Sequence, residues 1–270
     1  MIRDWKETFG PGRRDAIPFD RLFPLVVIAL FLAVELAVLL DYSVLGDMAV
    51  ESDFLAEIAP AARNLGAGRF DLADYPFKGP VSAAVVALVH LITGPWGLDL
   101  FRTGNLVSLI AAALVLFFTY RLGLALWGRR TAVAAVLLMA VNKLFFINAH
   151  KAGSDLLFLA LTMAVLWLIL AGPATRNRLI LAGVLAGLAF LTRYVGLALP
   201  VWAAGVVWFS SAGRRERAVQ TIWLLAGFAV VVAPWLMVNL VQTGVPLATN
   251  NLQNVVTHIG VDEPPGGFPS

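Results

Sequence analysis

Few side chains in this sequence could do chemistry, because only 14% of its 270 residues are charged. Two aspartates are notable for their positions. Asp53 follows Ser52 at the start of an amphipathic segment, with Glu57 one turn later, and Asp155 opens a long apolar run. Each can be interpreted as a helix N-cap or as a carboxylate held where it could act as a general base.

Other ionisable groups stand in or beside apolar segments. Glu35 lies inside the first apolar segment, where a charged side chain is costly and is a functional candidate by default. It could instead reach the membrane surface or pair with an arginine. Basic residues near the two aspartates either meet lipid headgroups or hold a phosphate, for which the planar fork of arginine is suited. The candidates for this phosphate-binding role are Lys78, Arg102, Lys151 and Arg193, with His150 as a supporting group.

The elements that must position these groups are membrane helices. Hydrophobic residues make up 60% of the chain and recur along its whole length, and a soluble fold could not cover so much apolar surface. The sequence therefore predicts one all-α, multi-pass membrane protein. It has no cysteine, which excludes disulfides and thiolate sites. No nucleotide-binding loop, zinc-type His/Glu spacing or nucleophile elbow is present, and we expect no nucleic-acid partner.

Arginine-rich loops predict the topology. If the short apolar run at 81–92 does not cross the membrane, every short loop rich in arginine lies in the cytoplasm, as the positive-inside rule requires. This assignment predicts about seven transmembrane helices and two juxtamembrane helices near 53–66 and 80–93. The predicted spans are 23–40, 104–126, 131–147, 156–171, 179–192, 195–209 and 218–238. Gly183 and Gly187 predict close helix packing.

The topology also divides the chain. Residues 1–22 are predicted to be a cytoplasmic N-terminus, and residues 23–240 a transmembrane module in the plasma membrane. Within the module, residues 41–103 form an outer loop that carries the juxtamembrane helices. Residues 241–270 form an extracytoplasmic tail. Asp53 and Asp155 then lie at the same depth on the extracytoplasmic face, which strengthens their functional interpretation.

Five stretches of the sequence form a recognisable set. They are ESDFLAEIAPAARNLGAGRF, DYPFKGPVSAAVVALVHLITG, LALWGRRTAVAAVLLMAVNKLFFINAHKAGSDLLFLAL, LAGVLAGLAFLTRYVGLALP and PWLMVNLVQTGVPL. Together they resemble the GT-C glycosyltransferases, in particular aminoarabinose transferases and protein O-mannosyltransferases. The resemblance implies a polyprenyl-phosphate-sugar donor, inversion at the anomeric carbon and an acceptor outside the cytoplasm. It also implies a core of seven spans with two juxtamembrane helices.

Carried over by position, the first-loop catalytic acid of this group falls on Asp53 and its second outer acidic position on Asp155. Some members bind a divalent metal through such carboxylates and others need none, so a metal held by Asp53 and Asp155 is an open alternative. Members usually continue for several more spans, whereas only residues 239–270 follow the last predicted span here. A non-catalytic partner subunit, a truncated fragment and a lipid-linked-saccharide transporter therefore stay as alternatives to a transferase.

Overall fold

The computed structural model describes residues 19–41, 53–209 and 213–250, and this part of the chain contains helices and no strand. An all-α membrane protein is thereby confirmed. Ten α-helices are named here in chain order. They are α1 (Phe19–Asp41), α2 (Ala59–Gly66), α3 (Val81–Thr93), α4 (Leu100–Leu126), α5 (Arg129–Ala140), α6 (Lys143–His150), α7 (Asp155–Leu170), α8 (Arg176–Thr192), α9 (Ala198–Trp208) and α10 (Arg214–Thr243).

The helices differ in whether they are long enough to cross a membrane. Among the described residues, α1, α4 and α10 are long and apolar enough to do so, and the bent pair of α5 and α6 makes a fourth candidate. Shorter apolar segments occur at Val81–Trp96, Asp155–Leu170 and Tyr194–Trp208. The count of seven spans and the orientation of the chain stay predictions.

The predicted span over residues 131–147 is not one continuous helix. It is divided into α5 and α6, which meet at an angle of 64°. Asn142 explains the break, because its side-chain oxygen accepts a hydrogen bond from the backbone N–H of Phe145 at 3.0 Å and so caps a new helix. The bend turns the end of α6 towards the start of α7.

The two helices predicted in the outer loop are present. A π-helical turn, Phe54–Ile58, leads into α2, where Pro60 stands in the first turn and needs no N–H partner. The chain leaves α2 through Gly68, whose φ of +70° is a conformation that favours glycine. Helix α3 matches the second predicted helix closely. That both helices lie on the membrane surface stays a prediction.

Close backbone packing joins α8 to α10. A Cβ atom added to Gly183 would collide with the carbonyl oxygen of Leu224, and one added to Gly227 would collide with that of Ile180. An added Cβ at Gly187 would stand 3.0 Å from the Cβ of Val231. The predicted role of the glycine pair in helix packing is confirmed, and it fixes the end of α8 that leads to Arg193.

The segment after α10 lies beside the loop that precedes α3. The helix runs to Thr243 and so crosses the predicted domain boundary at residue 240. Beyond it, the backbone N–H of Ala248 donates to the side-chain oxygen of Asn239 at 3.2 Å, and that of Asn250 donates to the carbonyl of Pro76 at 2.8 Å. The first residues of the predicted tail therefore pack on the loop that carries Lys78. The rest of that tail, the N-terminal residues 1–18 and Ser52 lie outside the described residues.

Candidate functional site

One cleft is lined by both of the predicted aspartates. Asp53 stands at the π-helical turn before α2, and Asp155 at the first position of α7. Between them, the linker from α6 to α7 forms the floor and contributes Lys151. The remaining lining residues are Phe54, Ser108, Asn148, Ala152, Gly153, Ser154 and Leu156. Two carboxylates 102 positions apart in the sequence thus share one solvent-reaching space.

Asp53 is held by a lysine and not by a helix cap. Asp53 occupies the N-cap position of the π-helical turn, but its side chain makes no capping hydrogen bond. Instead, Oδ2 accepts a hydrogen bond from Nζ of Lys78 at 2.6 Å. The Asp53 side chain is 66% exposed and therefore remains open to a ligand, whereas Lys78 is only 12% exposed.

Glu57 stands on the other side of the same ammonium group. Its Oε2 lies 3.5 Å from Nζ of Lys78, and its side chain is 12% exposed. Burial raises the pKa of the Glu57 carboxyl above its usual value, more strongly than the positive charge of Lys78 lowers it, and the negative charge of Asp53 adds to the rise. Lys78 therefore separates an exposed carboxylate from a buried one.

Asp155 forms an ion pair with Arg193, which lies between α8 and the following 3₁₀ turn, Tyr194–Leu197. Ser154 and not Asp155 occupies the N-cap position of α7, so the interpretation of Asp155 as the N-cap is wrong. Both partners remain partly exposed, the arginine at 34% and the aspartate at 62%. A guanidinium group thus stands at the rim of the cleft, beside a carboxylate that orients it.

Glu35 has no arginine partner among the described residues, and its side chain does not reach the surface. Its side chain is fully buried, and Oε2 lies 2.9 Å from Nδ1 of His150. The side-chain amide of Asn105 donates to the backbone carbonyl of the same histidine at 2.5 Å. These contacts from α1 and α4 fix the last residue of α6, immediately before Lys151 in the cleft. Glu35 and His150 therefore support the site from beneath, as a buried hydrogen-bonded pair.

Arg102 is not brought into the cleft. It lies exposed in the first turn of α4, where its backbone N–H donates to the side chain of the capping residue Asp99 at 2.7 Å. Sequence reasoning also missed lining residues, among them Ser108 and Asn148. The sequence carried a signal for both residues, because each has a polar side chain within an apolar segment. Gly104 was missed too, and the ring of Phe54 approaches it so closely that an added Cβ would stand 2.5 Å from Cε2.

A second cavity, of about 280 Å³, lies beside the site. Tyr75 separates it from the pocket that contains Lys78 and Glu57, and packs edge-on against Trp235 with ring centroids 5.4 Å apart. Burial raises the pKa of the Tyr75 hydroxyl to about 12, and the hydroxyl is uncharged at neutral pH, as that of an unperturbed tyrosine also is. The lining is uncharged throughout: Leu72, Ala73, Tyr75, Pro76, Gln242, Thr243, Ala248, Thr249 and Asn250.

The carboxylates do not form a metal site as they stand. In the described ranges, no three His, Asp or Glu side chains are grouped closely enough to hold a metal ion. Asp53 and Asp155 each face a cationic side chain, which competes with a metal for the same oxygens. As they stand, the described residues do not fit a divalent ion, and the mechanism proposed below uses none.

Comparison with known proteins gives the family. The family described as dolichyl-phosphate-mannose-protein mannosyltransferase matches residues 77–238, which is more than half of the chain. The chain belongs to this family. It is therefore a multi-pass membrane protein and a glycosyltransferase of the GT-C type, as the resemblance implied. Among the curated proteins and among the solved structures, nothing matches it.

The family match covers only part of the site. Lys78, Lys151, Asp155 and Arg193 lie within the matched residues. Asp53 precedes the matched residues, so the family match does not cover it. Its assignment to the site rests on the geometry of the cleft.

Proposed function

We propose that this protein transfers a sugar from a polyprenyl-phosphate donor to a hydroxyl group of an extracytoplasmic acceptor, with inversion at the anomeric carbon. One observation carries the proposal. Asp53, Asp155 and Lys151 line a single cleft, and a basic side chain, Lys78 or Arg193, stands against each carboxylate. The family implies a donor of this kind in general. A base for the acceptor and cations for the phosphate are the groups that such a transfer needs.

In the proposed reaction, Asp53 takes the proton of the acceptor hydroxyl. The acceptor oxygen forms a bond to the anomeric carbon from the face opposite the phosphate, and the bond from that carbon to the phosphate oxygen breaks. Its electron pair stays on the phosphate, which leaves as polyprenyl phosphate. A phosphate leaves without being protonated, so one carboxylate suffices where glycosidases use two. A general base of this kind contributes about 10²- to 10⁴-fold to the rate.

Cations near the cleft compensate the charge of the leaving phosphate. Lys151 lines the cleft directly, and Arg193 stands at its rim, where Asp155 orients the guanidinium group. Asp155 is in this scheme a positioning residue that acts through Arg193. Lys78 holds the base in place and adds a third positive charge. Such fixed cations stabilise charge as it develops in the transition state.

The test uses purified protein in lipid nanodiscs with a panel of polyprenyl-phosphate sugars. Release of polyprenyl phosphate is followed with cell-envelope extract as the source of acceptor. We expect Asp53→Asn to slow release at least a hundredfold, because asparagine keeps the shape but cannot take the proton. Asp99→Asn is the matched control, since it changes another outer aspartate, and asparagine caps a helix as well as aspartate does.

Three other results would count against the proposal. Equal release by wild type and Asp53→Asn would remove Asp53 from the base position. No release from any donor by the wild type would favour a partner subunit, a fragment or a transporter. Release abolished by a chelator and restored by a divalent cation would overturn the metal-free mechanism.

A further inference from the structure

Aromatic and basic residues meet at the end of the bundle opposite the cleft. Trp167 lies twelve residues after Asp155 on α7, about 18 Å away along the helix. Cζ of Arg121 stands 5.4 Å from the centroid of the Trp167 ring, and Cζ of Arg178 stands 5.3 Å from the same centroid. Helices α4, α7 and α8 thus place two guanidinium groups on one indole.

Arg178 is built into this place. Its Nε and Nη2 donate to the carbonyl of Leu168 at 3.2 and 2.8 Å, and Nη2 also donates to that of Trp167 at 3.1 Å. These carbonyls belong to the last turn of α7, where the helix dipole favours a cation. Gly172 leaves the necessary room, since an added Cβ would stand 2.7 Å from Nη1. The position of this guanidinium group is therefore fixed by the fold.

Arg121 adds a second, more accessible positive charge. It is exposed and contacts the ring of Phe117, at 5.9 Å from the centroid, as well as that of Trp167. Within the described part of the chain, no carboxylate forms an ion pair with Arg121 or Arg178. Cζ of each guanidinium group lies 5.4 or 5.3 Å from the centroid of the same indole ring, so positive charge is concentrated at this end of the bundle. An anion beside this ring would be attracted by both groups.

An exposed apolar stripe leads away from Arg121 along α4. Ile110, Leu114 and Phe117 precede the arginine by eleven, seven and four residues, which places all four side chains on one helix face. The three apolar side chains are 49%, 42% and 39% exposed. The stripe is about 17 Å long, close to half of the roughly 30 Å hydrocarbon core of a bilayer. Its length suits one acyl chain of a single leaflet.

We propose that this surface binds an anionic glycerophospholipid. The phosphate lies beside Arg121 at the ring of Trp167, within the field of Arg178, and one acyl chain lies along Ile110, Leu114 and Phe117. The charge of the phosphate complements the two guanidinium groups, and the indole of Trp167 stands at the level of the headgroup, where tryptophan is favoured. This site is separate from the transfer reaction, and its occupation does not depend on the proposed function.

Native mass spectrometry of the purified protein tests the proposal. The protein is titrated with phosphatidylglycerol or phosphatidylcholine of the same chain length. We expect Arg121→Gln to reduce the preference for phosphatidylglycerol about fivefold, the factor expected for one cation at a membrane surface. Arg130→Gln is the matched control, because Arg130 is an exposed arginine in α5 and lies outside the Trp167 contacts. Arg121→Lys should lose part of the preference, since lysine keeps the charge without the planar fork.

The outcomes separate this site from general surface charge. An equal effect of Arg121→Gln and Arg130→Gln would overturn the proposal, because attraction to any basic surface would explain both. Full competition by millimolar inorganic phosphate would overturn it as well, since the site would then take free phosphate and need no chain. Loss confined to the Arg121 variants, with inorganic phosphate ineffective, is the result expected.

Discussion

Replacing Lys78 by methionine tests how the base is held. The ammonium group lies 2.6 Å from Asp53 and 3.5 Å from Glu57, and methionine keeps the unbranched stem without the charge. Asp53 is mostly exposed and regains water, so its loss of a partner has little effect on folding. Glu57 is only 12% exposed, so its carboxyl group cannot regain water in the same way. At 3.5 Å and an effective dielectric constant of 20, the attraction that Glu57 loses is about 5 kcal/mol before any relaxation.

The net destabilisation is smaller and depends on pH. Breaking a buried pair typically costs about 3–5 kcal/mol, and Glu57 lowers that cost by taking up a proton, because burial has already raised its pKa. A group with a raised pKa in the folded state contributes stability below its unfolded pKa, and this contribution is lost as the pH rises through the folded pKa. Lys78→Met raises the pKa of Glu57 further. The stability lost in the Lys78→Met variant should therefore be small near pH 4.5 and should grow as the pH increases.

The assay combines thermal unfolding with donor turnover in nanodiscs. A loss of about 3 kcal/mol predicts a Tm about 10 °C lower at pH 8 and a smaller difference at pH 5. The double variant Lys78→Met/Glu57→Gln removes the buried charge and should recover most of the Tm at pH 8. It should not recover release of polyprenyl phosphate, because Asp53 still lacks its partner. Arg63→Met, at an exposed cation in the same outer loop, is the control.

Two results would refute this reasoning. An unchanged Tm for Lys78→Met at pH 8 would show that Glu57 does not depend on the ammonium group. Full donor turnover by the double variant would show that Lys78 acts only on stability and that the base needs no lysine to hold it.

Two further predictions concern the fold. Gly183→Val should abolish the folded protein in a detergent gel-filtration assay, because its Cβ meets the Leu224 carbonyl, whereas Gly205→Ala should be tolerated since nothing lies within 4 Å of its added Cβ. For the topology, single cysteines at the exposed loop positions Ala67 and Ala174 should react with an impermeant thiol reagent from outside and from inside respectively. The reverse labelling pattern would invert the predicted orientation.

Sequence reasoning found the part of the site that local pattern and membrane periodicity determine. Asp53 and Asp155 each stand where an apolar or amphipathic helix begins, and a consistent topology places such ends on one side of the membrane. Their meeting in one cleft could therefore be expected. The helical outer loop was predictable for a related reason, since Pro60 and Gly68 mark the first turn and the exit of α2.

Contacts that depend on how helices pack could not be predicted in this way. Glu35 and His150 are 115 positions apart, and no local sequence pattern around either residue indicates the other as its partner. Their pairing depends on α1 lying against α6, which in turn requires the break at Asn142 that sequence reasoning missed. Arg102 lies on the predicted outer side, in the first turn of α4, but it does not line the cleft. Its role in phosphate binding stays a prediction.

The charges around the cleft explain why transfer would be favoured once a donor is bound. Three carboxylates and three cations balance formally in and beside the cleft: Asp53, Glu57 and Asp155 against Lys78, Lys151 and Arg193. A sugar phosphodiester brings one negative charge. In the proposed reaction a proton reaches Asp53 and neutralises it, while a second negative charge develops on the leaving phosphate. Negative charge therefore moves from the base towards Lys151 and Arg193, so their stabilisation grows from the bound donor to the transition state, which is the condition for catalysis.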